Sequence, residues 1–569
     1  MTEEESKAYF ESIKPKEGLN EYIVTCKSYE DLENFYDDIE TPGGSLYIPN
    51  RSVDLVHRRA ISRNTHYMLT EEEAVEIRKD ERVIACERPA QARGIRFLPL
   101  WTQTGDFDKT SGTLQSDDKN WGLYRMIKGD TVSNWGSDST TEISNRTIST
   151  TASGKNVDVV IVDDGVNPNH PEFAVNPDGT GGSRVIEFNW FQYSSALGYT
   201  TPATYSYSFG GNHGTHVAGT ACGNTQGWAR DANIYKMSFY DSGGGGAGVT
   251  DWAEILWDYL RYFHKNKPIN PATGRRNPTI ANNSWGSGYN AFSTSFVYSS
   301  TYRGTTTSLS GLTTAQRKSI LESHSCSVGY SNFKGRVPAQ DVAVLADATD
   351  AMNDGVILVA AAGNSYWNCE EVGGPDFNNY LNVGFNIYHN RGSSPGDTPG
   401  MICVGNISSK KLEHKDDSSN WGGRVDIWAP GTQIISSVYD QSSAISEGYG
   451  PLVADSRDTS YYLGSVTGTS MASPQITGIL ACLLEQEPNL TQAEALQHLI
   501  ENSLPDVYDT GVAANLTPYE GFGDSNNRYA FIPKKRLDDG MASPAQLHKN
   551  RNSTTAGVKY PRVKYQTTS

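Results

Sequence analysis

The residue types that could do covalent chemistry stand at the ends of apolar runs: Asp163 and Asp164 follow Val159-Val160-Ile161-Val162, His213 lies in a glycine-flanked stretch, and Ser470 sits between a small-residue turn and an apolar helix. A serine hydroxyl is a weak nucleophile at neutral pH unless an imidazole takes its proton, and a buried carboxylate fixes the tautomer of that imidazole. Asp163, His213 and Ser470 supply these three parts in that order along the chain. In Gly468-Thr469-Ser470-Met471-Ala472-Ser473-Pro474 the hydroxyl falls where the unpaired N–H groups and the dipole of a helix start favour an oxyanion. A Thr-Ser pair before a helix is by itself an N-cap, and the two upstream stretches are what make it a candidate nucleophile. Pro474 reads as a first-turn proline, whose missing N–H has no partner there in any case. His213 and His216, three apart on one helix face, together with Asp163 also admit a metal-dependent hydrolase, which a chelator would separate from a serine enzyme.

Such groups need a frame. Residues 156–162 are almost continuously β-branched, the pattern of a strand buried on both faces of a parallel sheet. Asp163 then falls at the carboxyl end of that strand, the edge where open α/β sheets collect reactive groups. Further strand runs at Ala232–Phe239, Thr279–Asn283, Val356–Ala361 and Gly400–Gly405 alternate with helical stretches at Trp252–Phe263 and Val342–Met352. The alternation predicts an α/β fold, a mostly parallel sheet with helices on both faces. Residues 287–337 are rich in Ser, Thr and Tyr, weakly periodic, and read as a long surface insertion. Upstream, a strand at Glu21–Cys26, a helix at Tyr29–Asp38, a helix opened by the Thr70–Glu73 capping box and a strand at Val83–Cys86 make a small separate α+β unit within residues 1–95. Residues 96–118 carry Pro99, Gly105 and Gly112 without periodicity and read as a cleavable linker, residues 119–510 as the main domain, and 511–569 as a partly flexible extension.

Composition narrows the partners. Over 569 residues the formal net charge is -17, against the basic surface that nucleic acid or an anionic membrane requires, so neither is expected as a partner. Met1-Thr2-Glu3-Glu4-Glu5 has no basic or apolar leader pattern and no run of 18 apolar residues follows, which leaves localisation open between the cytoplasm, a larger assembly and non-Sec export. The seven dispersed cysteines, several of them inside apolar runs, read as buried small hydrophobes in a reducing compartment.

The stretches around Asp163, His213 and Ser470 resemble the three active-site signatures of the subtilisin-like serine proteases (subtilases), and Val425-Asp426-Ile427-Trp428-Ala429-Pro430-Gly431 and Asn120-Trp121-Gly122-Leu123-Tyr124-Arg125-Met126 extend the likeness. The resemblance implies an Asp163–His213–Ser470 triad in a serine endopeptidase acting on polypeptides through an acyl-enzyme. It implies an oxyanion donor at Asn364, and a substrate-binding edge at Ser284, Trp285 and Gly286 faced by a glycine loop containing Gly244 and Gly245, with Gly363 beside it. It also implies a ferredoxin-like inhibitory propeptide at the N-terminus, cut off by the enzyme itself, which makes the chain's own first unit a partner. No metal or cofactor is required on this reading. Calcium stays possible without an assigned site, and Glu172 is read as a surface carboxylate because the helix after His213 has no room for a calcium loop. The alternative is an idle scaffold of the same fold used for binding or assembly.

Overall fold

The computed structural model describes residues 19–48, 54–58, 63–88, 101–109, 112–128, 142–200, 211–238, 252–289, 293–328, 337–410, 413–505, 507, 521 and 523–532. The chain divides into a smaller unit within residues 1–98 and a larger one within 99–537.

In the smaller unit, β1 (Asn20–Cys26), α1 (Tyr29–Glu40), β2 (Asp54–Arg58), β3 (Asn64–Leu69), α2 (Glu71–Ile77) and β4 (Val83–Glu87) form a ferredoxin-like βαββαβ arrangement, with an antiparallel sheet in the order β2-β3-β1-β4. Alternate residues Tyr22, Val24 and Cys26 of β1 are buried in one core with Leu32, Phe35 and Ile39 of α1 and Ala74 and Ile77 of α2. The capping box opens α2 as expected: Glu73 N–H donates to Thr70 Oγ1 at 3.2 Å, and Thr70 N–H to Glu73 Oε2 at 2.8 Å.

The larger unit is built on seven strands, every neighbouring pair parallel: β8 (Asp158–Asp163), β9 (Val185–Ile186), β10 (Asn233–Ser238), β11 (Thr279–Asn283), β12 (Ile357–Ala361), β13 (Ile402–Ile407) and β14 (Ile427–Pro430), in the order β14-β13-β12-β11-β8-β10-β9. The β-branched run divides by parity. Val159 and Ile161 enter the core under α4 (Asn212–Cys222) and α7 (Thr469–Gln486), whereas Val160 and Val162 enter the opposite core under α5 (Trp252–Asn266) and α6 (Val342–Asn353). Burial on both faces is why the run shows no polar alternation.

Two expectations are corrected. The linker read at 96–118 contains β5 (Trp101–Asp108), which pairs antiparallel with β7 (Glu142–Thr150) and parallel with β6 (Asp118–Asn120). Its sequence is polar and broken by Gly105, so periodicity is silent, and what anchors it is an ion triad that spans the chain. Lys109 Nζ lies 2.8 Å from one oxygen of Glu413 and Arg125 Nε 2.7 Å from the other, with all three side chains 0% exposed. The Lys109 ammonium stands 4.5 Å from the Trp121 ring centroid and the Arg125 guanidinium 4.1 Å from that of Tyr529. Second, the bounds 119–510 are too narrow at both ends. Trp428 N–H donates to Arg528 O, Ala530 N–H to Trp428 O and Ile532 N–H to Met126 O, so part of the supposed extension borders β14 and is buried at Tyr529 and Ala530. The stretch read as a long surface insertion, 287–337, contributes elements of its own. Strands Ser299–Tyr302 and Thr305–Ser308 join Tyr380–Asn382 and Asn386–Ile387 in one antiparallel sheet. Val297, Leu309, Leu321, Trp367, Leu381 and Ile387 are packed in its core, a cluster drawn from two distant stretches that no local window contains.

Candidate active site

Because the sheet is parallel, its carboxyl ends align. Ser238 pairs with Asp163, Asn283 with Val162, and Ala360 with Asn283, so Asp163-Asp164, Ser284-Trp285-Gly286 and Gly363-Asn364 leave three adjacent strands at one edge. Above that edge, α4 and α7 pack against each other.

Helix α4 starts hard against the end of β8. A Cβ at Gly214 would stand 2.2 Å from Gly165 O, so only glycine permits the approach, and Gly214 N–H donates to Asp164 Oδ1 at 2.7 Å. The approach brings His213 Nδ1 to 2.8 Å from Asp163 Oδ1, an oxygen that also accepts the Asp164 N–H at 2.8 Å. With Nδ1 engaged, Nε2 is the nitrogen left to meet a hydroxyl. Asp163 is buried while the His213 side chain is 33% exposed, so the ring faces the cleft with its orienting carboxylate behind it. Burial disfavours the imidazolium, yet the charge and hydrogen bond of Asp163 outweigh it, with Asp164 and Glu447 adding to them, and the His213 pKa rises to about 9. Burial and the adjoining Asp163 charge push Asp164 up to about 7.

Ser470 lies in the first turn of α7 and is 8% exposed. Its hydroxyl donates to Ser284 O at 3.2 Å, and no hydrogen bond joins it to His213 in this structure. Asn364 is held by its neighbour in the serine motif: Thr469 N–H and Thr469 Oγ1 both lie 2.8 Å from Asn364 Oδ1, while Thr469 Oγ1 accepts Gly363 N–H at 3.1 Å. Two donors on the carbonyl oxygen fix the amide orientation and leave Nδ2 on the far side of an exposed residue. Gly363 has φ +103, and a Cβ there would stand 2.5 Å from Asn420 Nδ2. Asn420 in turn braces the loop, donating to Ala362 O at 2.8 Å and accepting the Trp367 N–H at 2.8 Å. On the substrate edge Ser284 is buried, the Trp285 ring is 6.5 Å from that of Trp257, and Gly286 lies against Ser393. Gly244 and Gly245 lie outside the described residues.

The metal alternative loses its second histidine. His216 is fully buried, with Nε2 3.0 Å from Ile434 O and 3.1 Å from Gly464 O, and that nitrogen is therefore the N–H of a neutral ring turned away from Asp163. Glu172 is also corrected, since it is wholly buried. Its carboxylate accepts Thr225 N–H at 3.0 Å, Thr225 Oγ1–H at 2.6 Å and Gln226 N–H at 3.0 Å, and pairs with the Arg457 guanidinium. Arg457 lies 285 residues further along the chain, so no local pattern foretold the pair. Sequence reasoning also gave no role to Asp164, Thr469 or Asn282, although the doublet Asp163-Asp164 and the Thr of the serine motif were visible signals.

The model of the subtilase family (peptidase S8) matches residues 154–529. Subtilisin-like protease 10 of Arthroderma otae is 26% identical over 417 residues, covering 72% of this chain and 70% of that protein. Subtilisin-like serine protease Cla h 9.0101 of Davidiella tassiana is 25% identical over 461 residues, covering 79% of this chain and 66% of that protein. The crystal structure of a cold adapted subtilisin-like serine proteinase is 20% identical, with a TM-score of 0.40, and covers 72% of this chain and 97% of that one. The family match runs through Asp163, His213, Asn364 and Ser470 and takes in most of the large unit: the chain belongs to the subtilase family, the subtilisin-like serine peptidases.

Proposed function

We propose that the chain is a serine endopeptidase with Asp163, His213 and Ser470 as its triad and Asn364 as an oxyanion donor, made as a zymogen that removes its own N-terminal unit. The observation that carries this reading is the His213 Nδ1 contact with Asp163 at 2.8 Å, on the same sheet edge as Ser470 and Asn364. In the reaction the Ser470 hydroxyl leaves the Ser284 carbonyl for His213 Nε2. It then attacks the substrate carbonyl as Nε2 takes the proton, and the imidazolium formed is stabilised by Asp163. The new oxyanion receives the Asn364 amide and the Ser470 N–H. His213 next protonates the leaving amine, and water repeats the sequence on the acyl-enzyme. An extended polypeptide lies along Ser284-Trp285-Gly286 as an added strand. No metal enters any step, and Glu172 is saturated by the chain's own donors. Every member of the set is present, which leaves nothing to favour an idle scaffold.

The intact mass of the wild type beside Ser470→Ala tests both halves of the reading. The wild type shortens and binds a fluorophosphonate with EDTA present, whereas Ser470→Ala stays at full length and unlabelled. Labelling of the variant, or a wild type unlabelled both with and without EDTA, would refute the serine assignment; a wild type that labels yet stays at full length would refute the zymogen alone.

A further inference from the structure

Helix α7 begins at Thr469, so Pro474 is its sixth residue and not a first-turn proline. A residue at that depth would normally donate its N–H to the carbonyl four back, which here is that of Ser470. Proline has no N–H, and its ring pushes against that carbonyl. The Ser284 hydroxyl stands in, donating to Ser470 O at 2.9 Å from the end of the neighbouring strand. Behind it, buried Asn282 sets the direction of each bond. Its Nδ2 donates to Ser284 Oγ at 2.9 Å, while its Oδ1 accepts from Ser473 Oγ at 3.1 Å and Thr477 Oγ1 at 2.9 Å, and the Ser284 and Ser473 hydroxyls are 2.9 Å apart. Asn282 Nδ2 occupies one acceptor position of Ser284 Oγ, and the remaining partners of that hydroxyl, the Ser470 carbonyl and Ser473 Oγ, both lie on α7, so its single proton points to the helix.

We propose that Ser284 and Asn282 are positioning residues for the nucleophile: together they replace the backbone bond that Pro474 deletes and thereby hold the Ser470 carbonyl, and through the Cα bonded to it the Ser470 side chain and N–H, relative to the substrate edge. The inference rests on Ser470 being the nucleophile, which wild-type turnover and the inert Ser470→Ala variant establish separately. The Ser284 carbonyl, the part that meets substrate, is untouched by a side-chain change, so the effect falls on kcat and not on KM. The His213 ring is hydrogen-bonded to Asp163 and not to Ser284 or Asn282, so the acid limb of the pH profile stays where it is.

A double-mutant cycle on the purified, processed enzyme decides the matter, with kcat expressed per site titrated by fluorophosphonate so that misfolded protein does not count. Ser284→Ala lowers kcat roughly 10–100-fold, the order expected for an ångström-scale misplacement, with KM little changed. Ser284→Thr, which keeps the hydroxyl, retains most of the turnover. In a Pro474→Ala background, where residue 474 again has an N–H for the Ser470 carbonyl, the same Ser284→Ala change costs less than about 3-fold. Equal losses in the two backgrounds, a wild-type kcat for Ser284→Ala, or a loss confined to KM would each overturn the proposal.

Discussion

Replacing Arg457 by methionine tests how the large unit tolerates a buried acid. The Arg457 guanidinium pairs with both Glu172 and Asp455, and both carboxylates are buried. Burial alone would push the Glu172 carboxyl up; the Arg457 charge and the Thr225 hydrogen bonds reverse this and hold its pKa down at about 2 from an ordinary value of 4.5. A depression of that size corresponds to about 3 kcal/mol of native-state stabilisation, in line with the ~3–5 kcal/mol cost of stranding one partner of a buried pair. The sign follows from the direction. A depressed carboxyl contributes fully above its unfolded pKa and loses that contribution as the pH falls through the folded one, so the stabilisation is present above about pH 4.5 and vanishes towards pH 2. Arg457→Met keeps an apolar stem, removes the charge and leaves the Thr225 and Gln226 donors in place. With an unfolding entropy of about 2.1 cal/mol/K per residue, a cooperative unit of more than 400 residues loses roughly 3 °C in Tm for 3 kcal/mol. Calorimetry at pH 7.5 in a Ser470→Ala background, which prevents self-digestion, reads the shift. Adding Glu172→Gln to Arg457→Met removes one of the two stranded charges and recovers part of the loss. A Tm within about 1 °C of the parent, or a double variant no more stable than Arg457→Met, would refute the reasoning.

Two further outcomes are expected. Asp164 helps to hold the His213 pKa at about 9. Since the base must be unprotonated to act, kcat/KM rises with pH through that value, and Asp164→Asn moves the rise down by roughly 0.5–1 pH unit; an unmoved limb contradicts the electrostatic account. Separately, the proposed removal of the first unit predicts, by N-terminal sequencing, a first residue upstream of Trp101, because a cut inside 101–118 would strip β5 from β7 and Lys109 from Glu413. A mature form starting between Lys109 and Asp118 would show that β5 is dispensable.

How much of the site was legible depended on how local its determinants are. The β-branched run that ends at Asp163, the glycine-flanked His213 and the serine motif each mark a candidate within seven residues or so, and the orientation of a parallel sheet then carries them to one edge. Asn364 was legible only through the family resemblance of the stretch that follows a buried strand. Its orientation was not, because Thr469, which holds the amide, is 105 residues away. Strand β5 escaped notice because its anchors are polar: an ammonium on a carboxylate 304 residues distant leaves no periodicity to detect. The subdomain around Trp367 and Leu309 escaped because its core is assembled from two segments, neither amphipathic enough alone.

The sequence by itself therefore determined the α/β class, the strand ends at which chemistry gathers and the candidates for the reacting groups, since these depend on side-chain type and short-range pattern. Only the tertiary structure decided that Glu172 is a buried, guanidinium-paired acid, that the large unit reaches beyond the expected bounds at both ends, and that Pro474 leaves the Ser470 carbonyl to Ser284. The physical reason is common to all three. A buried polar group must find a partner wherever the fold supplies one, and that partner is chosen by proximity in space, which the spacing of residues along the chain does not encode.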